Sequence, residues 1–435
     1  MKIIINLILI LFNTTLLLSQ NIYFPPLSGN NWDTLSPSSL GYCDDKIEAL
    51  YQFLEAENSK AFVLLKDGKI VLEKYFGTHT QNSPWQWASA AKTITSFLVG
   101  MAQQEGFLTI NDTTSKYLGN QWTACLPNQE EKITILHQLT MTSGLDDAVL
   151  DPYCTVDSCL VYKADAGARW AYHNAPYTLL DTVIEYATGR TLNAYTNQKL
   201  KNVTGMSGAF FKIDYNNIFV SNARSMARFG LLILNKGNWN GNQIMTDSNY
   251  FNKMIQSSQN INPSYGYLWW LNGKSSFMIP TSQINFPGKI CQDAPNDMIS
   301  AIGKGGQFLN IVPSQNLIWL RMGDEPNNSL VPFLLNNDIW KYVNQLPCVS
   351  SAKVNLQSEV QIALYPNPSN QFIQIESNIA IKNIEILSLE GIVLEHVSCF
   401  SKKKEIPIEN LSSGYYLVKI ILDNGKISIQ KLIRN

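Results

Sequence analysis

Charge is what this 435-residue chain has least of: 15% of its residues are Asp, Glu, Lys or Arg, and 33 basic side chains stand against 34 acidic ones for a net charge of -1. That balance excludes a broadly basic nucleic-acid binder, which needs a face of unopposed positive charge to meet phosphates. Histidine is scarcer still. His79, His137, His173 and His396 are the only four, none is spaced from a cysteine as in a zinc finger, and no HExxH occurs. No metal and no organic cofactor are therefore expected. The chain is instead 45% hydrophobic and 11% aromatic, enough apolar surface to offset the entropy of ordering, so disorder is excluded as well. At roughly 150 residues per domain, the length allows two or three cores.

The N-terminal apolar run follows one positive charge, Lys2, and is broken by Asn6, Asn13, Thr14 and Thr15. A membrane anchor would leave those polar groups in hydrocarbon, whereas a cleaved secretory signal tolerates them. Residues 1–20 read as such a signal, with no stable membrane span. No cysteine follows the run directly, Cys43 being too distant for lipid attachment. Export places all seven cysteines where disulfides persist. Cys154 and Cys159 bracket a loop, TVDS, short enough to be closed by a bridge. An odd count leaves at least one thiol without an intrachain partner, and the remaining pairings stay open.

Composition shifts after Cys348. The polar stretch SSAKVNLQSEVQ has no helical periodicity and places a linker over residues 348–361. Beyond it, over residues 362–435, come short runs of period-two alternation. Phe372 to Glu376, Ile384 to Leu387, Ile392 to Leu394, Tyr415 to Ile420 and Ile427 to Leu432 are separated by turn residues such as Glu390-Gly391 and Asp423-Asn424-Gly425. Such a pattern predicts a small antiparallel β-sandwich. The tail also resembles a known family: LYPNPSN at Leu364 to Asn370, the EGIVL turn-and-strand, LSSGYYLVKI and a closing Lys431-Leu432 are similar to the C-terminal sorting domain of type IX secretion cargo. The resemblance implies a Bacteroidetes-type cell, the type IX machinery as a partner, and a protein released or held at the outer cell surface.

Toward the N-terminus, AFVLLKDGKIVLEKYF (Ala61 to Phe76) sets two apolar strands around Lys66-Asp67-Gly68-Lys69, a hairpin that should begin an antiparallel sheet. After it, Ile94, Phe97, Leu98 and Met101 recur at three-to-four spacing, so a helix is expected to begin near Ser89. Ser89 and Lys92, three apart, then share a face. At a helix N-terminus the dipole favours a developing alkoxide, and a desolvated lysine in positive surroundings favours its neutral form, so it can accept the hydroxyl proton. Ser89 is a candidate nucleophile on that ground. A serine at a helix start is also the ordinary cap, and only company further along the chain distinguishes the two roles.

That company is ITILHQLTMTSGL (Ile133 to Leu145), GARWAYHN (Gly167 to Asn174) and GKGGQ (Gly303 to Gln307), flanked by ARSMARFGLLILNKGNWNG and YGYLWWLNG. Together these resemble the serine β-lactamase-like superfamily of penicillin-binding enzymes, most closely its class C, family VIII carboxylesterase and 6-aminohexanoate-dimer-hydrolase-like branches, over about Ile47 to Tyr342. The resemblance implies an α/β (α+β) domain over residues 40–347, an antiparallel sheet packed by helices with a mostly helical insert. It implies that Ser89 is acylated, that Lys92 accepts its proton, and that Tyr172 shares or relays the proton, with a cationic neighbour such as Lys92 required to stabilise a phenolate whose reference pKa is about 10. Asn174 would orient Lys92 and the substrate carbonyl. The backbone N–H groups of Ser89 and Gln307 would form the oxyanion hole, and Lys304 and Gly306 would meet substrate.

Two departures stand out. Gly305 occupies the place where penicillin-recognising relatives carry Thr or Ser, which removes a hydroxyl contact to a substrate carboxylate. The Pro-Gly preceding the tyrosine motif is Ala166-Gly167. His137 and His173 are expected to be structural, and among the tryptophans only Trp170 is a candidate for the substrate pocket. The expected activity is a secreted serine hydrolase acting on a small-molecule ester or amide. The alternatives are a β-lactamase or D-Ala-D-Ala-type peptidase, or a non-catalytic surface binding protein on the same fold.

Overall fold

The computed structural model describes residues 22–325, 333–348, 362–388 and 393–435. The expected signal peptide, the linker beyond Cys348 and the Glu390-Gly391 turn lie outside these residues. The chain divides into two compact units, the boundary following Cys348.

The first unit is built on a six-stranded antiparallel sheet. The expected hairpin is its edge: β1 (Ser59–Lys66) and β2 (Lys69–Tyr75) turn at Asp67-Gly68. Downstream, β3 (Trp85–Gln86), β4 (Ala209–Ile213) and β5 (Asn216–Ser221) form a separate small sheet in the order β3-β5-β4. The main sheet is completed from far along the chain by β6 (Trp270–Leu271), β7 (Ile299–Gly303), β8 (Gln307–Val312) and β9 (Leu317–Gly323), in the order β2-β1-β9-β8-β7-β6. Strands from both ends of the unit thus meet at the β1–β9 pair.

Every residue of β8 and β9 is buried, as expected of strands covered on both faces. On one face lies α4 (Ala223–Leu234), so close that a Cβ on Gly230 would stand 2.9 Å from Leu309. On the other lie α1 (Asp44–Ala56) and α5 (Phe333–Gln345), joined by the Phe53–Tyr342 stack and reaching the sheet through Trp340 on Trp319. A disulfide between Cys43 and Cys348 closes the ends of this unit, and a second joins Cys154 to Cys159. Cys125, Cys291 and Cys399 are free. Between β3 and β4 the chain is mainly helical and includes α2 (Lys92–Gln104) and α3 (Asn174–Thr188), which pack on each other.

The second unit is antiparallel, as its alternation predicts, but its strands join in one hydrogen-bonded sheet that curls around its own core. Its strands are β10 (Ile362–Tyr365), β11 (Phe372–Leu387), β12 (Val393–Pro407), β13 (Gly414–Leu422) and β14 (Ile427–Arg434), in the order β10-β11-β13-β14 with β12 also paired to β11. Two of the expected short strands are the halves of β11, whose first half pairs with β10 and whose second pairs with β13. Ile373, Ile375, Ile384, Ile386, Val418 and Ile420 fill the inside. Among the described residues no helix is long and apolar enough to cross a membrane.

Candidate active site

The turn carrying Ser89 is fixed before the helix begins. The helix expected from Ser89 opens instead as a 3₁₀ turn, Ala88–Ala91, and the α-helix starts at Lys92. Its entry is anchored by the small sheet: Trp87 N donates to Phe219 O at 2.9 Å and Trp87 Nε1 to Ser221 Oγ at 2.8 Å. Ala88 adopts φ 47°, a left-handed conformation costly for a residue with a Cβ, immediately before Ser89. From the other side the end of β7 closes in. A Cβ on Gly303 would stand 2.5 Å from Trp87 O and 3.1 Å from Ser89 N, so only glycine lets the strand lie against this turn.

Lys92 is 3% exposed. Its Nζ donates to Ser89 Oγ and to Asn174 Oδ1, each at 2.9 Å, and lies 3.9 Å from the centroid of the Tyr177 ring. Burial drives the amine down to about 7 against the opposing field of Asp181, and its place at the positive end of α2 acts in the same direction as burial. A neutral amine at 2.9 Å can take the hydroxyl proton through the contact that the ammonium would donate through.

Tyr172 departs from expectation in its charge state. Burial holds its phenol well above the ordinary tyrosine range, and a hydrogen bond with Ser89 offsets only part of this. Lys92 Nζ stands 5.1 Å from the Tyr172 ring centroid rather than on its oxygen. Burial therefore keeps the resting phenol neutral, and Lys92 makes its hydrogen bonds to Ser89 and Asn174.

Ser89, Lys92, Asn174, Lys304 and Gln307 line one cleft of about 390 Å³, together with Tyr153, Asn216, Asn217 and Asp324. The Gln307 side chain turns inward: its Nε2 donates to Gly323 O at 2.6 Å and its Oε1 accepts from Gly323 N at 3.1 Å. Its backbone pairs with Gly303 at the end of β7. Lys304 is exposed in the cleft, and among the described residues no hydrogen bond or ion pair engages its ammonium. Gly306 does not line the cleft. Its carbonyl accepts from Arg321 NH1 at 2.8 Å, and a Cβ there would meet that guanidinium, so Gly305 lines the cleft instead. Trp170 also leaves the pocket: it is fully buried in an aromatic cluster with Tyr172, Tyr265 and Trp270, because an indole of that size completes the core behind the tyrosine. His137 caps a short helix through Thr134, and His173 is 2% exposed with burial pushing its imidazole down to about 4.

Two polar groups behind the cleft carry no motif in the sequence. Arg321, fully buried on β9, donates to Ser59 Oγ at 2.8 Å, to the Gly305 and Gly306 carbonyls at 2.9 and 2.8 Å, to Asp324 O at 2.8 Å and to Glu57 O. It thereby pins the β7–β8 turn that presents Gln307. Asp181 lies behind Lys92, its signal being an acid at a core-facing helical position between Leu180 and Val183.

Residues 52–324 match the profile of the β-lactamase family, and residues 363–435 that of the secretion system C-terminal sorting domain. The chain belongs to the β-lactamase family, whose fold is that of serine hydrolases, and carries the sorting tail of type IX secretion. An uncharacterised protein of Alkalihalophilus pseudofirmus is 26% identical over 309 residues, which cover 62% of this chain and 84% of that protein. A Bacillus anthracis protein assigned as a 6-aminohexanoate-dimer hydrolase superposes with a TM-score of 0.53 at 18% identity, covering 75% of this chain and 91% of its own. A family VIII carboxylesterase gives 0.53 at 12% identity over 70% and 99%. At these identities the structural likeness shows the fold.

Proposed function

We propose that the first unit is a secreted serine hydrolase that cleaves an ester or amide of a small molecule through an acyl-enzyme on Ser89. The observation that carries this reading is the buried Lys92 amine, its proton affinity lowered to about 7, at 2.9 Å from Ser89 Oγ.

Neutral Lys92 removes the Ser89 proton as Oγ forms its bond to the substrate carbonyl carbon. The negative charge that develops on the carbonyl oxygen is met by the N–H groups of Ser89, on the turn against which Gly303 packs, and of Gln307, whose side chain is turned inward. Collapse of the tetrahedral intermediate breaks the bond to the leaving group. That group takes a proton from the neutral phenol of Tyr172, and the Lys92 ammonium gives the phenolate the proton it took from Ser89. Water then attacks the acyl carbon as neutral Lys92 takes its proton, and Ser89 Oγ receives that proton from Lys92 as it leaves the acyl carbon. Asn174 holds Lys92 in place throughout. The tail engages the type IX machinery, and the signal at residues 1–20 brings the chain to it.

A second reading has one observation in its favour. The ammonium of Lys304, exposed in the cleft and unengaged among the described residues, suits a carboxylate-bearing substrate, as a β-lactamase or D-Ala-D-Ala-type peptidase would require. Gly305 supplies no hydroxyl to share that carboxylate, so the broader ester or amide hydrolase is preferred. A non-catalytic binding role would leave the Ser89–Lys92–Tyr172 arrangement without a use.

The test is hydrolysis of p-nitrophenyl esters, short amides and nitrocefin by the mature protein and by Ser89→Ala. Turnover is expected in the parent and abolished in the variant at unchanged thermal stability. Because Lys92 must be neutral, kcat/KM should rise with pH through about 7 and level off above it. Turnover that survives in folded Ser89→Ala contradicts the assignment.

A further inference from the structure

We propose that Asp181 is a positioning residue of the Ser89 site, an internal acid that stabilises the protonated form of Lys92 and orients Asn217 in the cleft wall; this role rests on the acyl-enzyme reading above.

Asp181 is 1% exposed and stands on α3 two turns beyond Asn174, among residues that otherwise build the core. Burying a carboxylate there is unfavourable unless the lone pairs are met. Two groups meet them: Thr95 Oγ1 donates to Oδ1 at 2.8 Å, and Asn217 Nδ2 donates to Oδ2 at 2.9 Å. Thr95 lies one turn beyond Lys92 on the same helix, and Asn217 belongs to β5 and lines the cleft. One carboxylate therefore ties the helix of the base to the wall that receives substrate. With Nδ2 of Asn217 held by the carboxylate, its Oδ1 is the atom left for the cleft.

The electrostatic part follows from what else surrounds the pair. Lys92 faces Ser89 from the 3₁₀ turn and Asn174 and Tyr177 from α3, with Tyr172 alongside, and burial holds both phenols in the neutral form. Lys304, Asp324 and Glu325 stand on the β7–β8 and β9 side of the cleft. Asp181 itself is acted on by Glu185 from its own helix and by Lys92. Burial pushes the Asp181 carboxyl up to about 7 and the Lys92 amine down to about 7, so near neutrality the two groups titrate as a coupled pair. When Ser89 gives its proton to Lys92, the new ammonium is buried, and an ionised Asp181 is the charge that offsets it. The proton stays on Lys92 until it restores the Tyr172 phenol or, in deacylation, returns to Ser89, and Asp181 exchanges none in the step.

The experiment compares the parent, Asp181→Asn and Thr95→Val with p-nitrophenyl acetate across pH 5 to 10, and labels each with a fluorophosphonate. Asp181→Asn removes the charge at nearly constant shape, so the Lys92 ammonium loses its stabilisation. The acid limb of kcat/KM should move to lower pH by roughly one unit, with kcat on the plateau falling about ten-fold or more, while Ser89 still takes up the probe. Thr95→Val weakens the carboxylate's ionised form and should move the same limb in the same direction by less. A merely structural role predicts a uniform loss with the limb in place. A limb in Asp181→Asn that coincides with the parent's overturns the proposal, and if that variant fails to fold, an unmoved limb in Thr95→Val overturns it equally. A parent that takes up no probe on Ser89 removes the acyl-enzyme reading and this role with it, whereas a labelled parent with unmoved limbs removes the role of Asp181 alone.

Discussion

The two walls of the Ser89 cleft are built differently. On the reaction side Lys92, Asn174, Asp181, Gln307 and Arg321 each have partners within the protein: Lys92 has two hydrogen bonds, Asp181 two and Arg321 five, and Lys92, Asp181, Gln307 and Arg321 are almost wholly buried. On the substrate side Tyr153 and Lys304 are exposed; Tyr153 immediately precedes the loop closed by Cys154 and Cys159, and Lys304 stands in the β7–β8 turn. Groups that must hold a reacting atom to within fractions of an ångström are locked by the core, whereas groups that choose among substrates sit where the chain can change at little cost in stability. The chemistry of this protein is therefore argued from its interior and its substrate preference from its loops.

Substitutions on the two walls should separate accordingly. The largest effect is expected for Lys92→Met, which keeps the bulk of the side chain but removes the base and both hydrogen bonds; kcat/KM should fall by about 10³-fold or more, measured on the best ester found. Tyr172→Phe removes only the phenolic proton donor. A fall in kcat of about 10²-fold is expected, larger for amides than for activated esters because a poor leaving group depends more on its proton. Lys304→Ala, on the open wall, should act on binding: about ten-fold in KM for carboxylate-bearing substrates, equivalent to about 1.4 kcal/mol, with kcat little changed. Equal losses of kcat from both walls would break the comparison, and a Lys304→Ala effect without regard to substrate charge would remove the support for carboxylate recognition.

Much of this arrangement is legible in the sequence. The Asp67-Gly68 hairpin, the alternation in the tail and the apolar spacing after Ser89 are local signals, and each became the expected element. The site motifs converge on one cleft because each sits at the start of a helix or the end of a strand, where position in sequence predicts position in the fold. Three features were not legible. The 3₁₀ turn before Lys92 depends on Trp87 being held by β5, more than 130 residues away. The inward fate of Trp170 depends on Tyr265 and Trp270, which no local pattern places behind Tyr172. Arg321 reads in sequence as one charge in the strand LIWLRMG, and its role becomes visible only when β9 is set between β1 and β8 so that the guanidinium reaches Ser59, Gly305 and Gly306 at once. In each case the missing information was a long-range contact, which neither periodicity nor spacing encodes.

The central claim is that Ser89 is an activated nucleophile, and intact-mass analysis of the mature protein with a fluorophosphonate probe, followed by mapping of the adduct, tests it most directly. The account predicts one adduct per chain, located on Ser89, formed faster as pH rises through about 7 and lost in Ser89→Ala. An adduct elsewhere in the first unit, or one that persists in the folded Ser89→Ala protein, would contradict it.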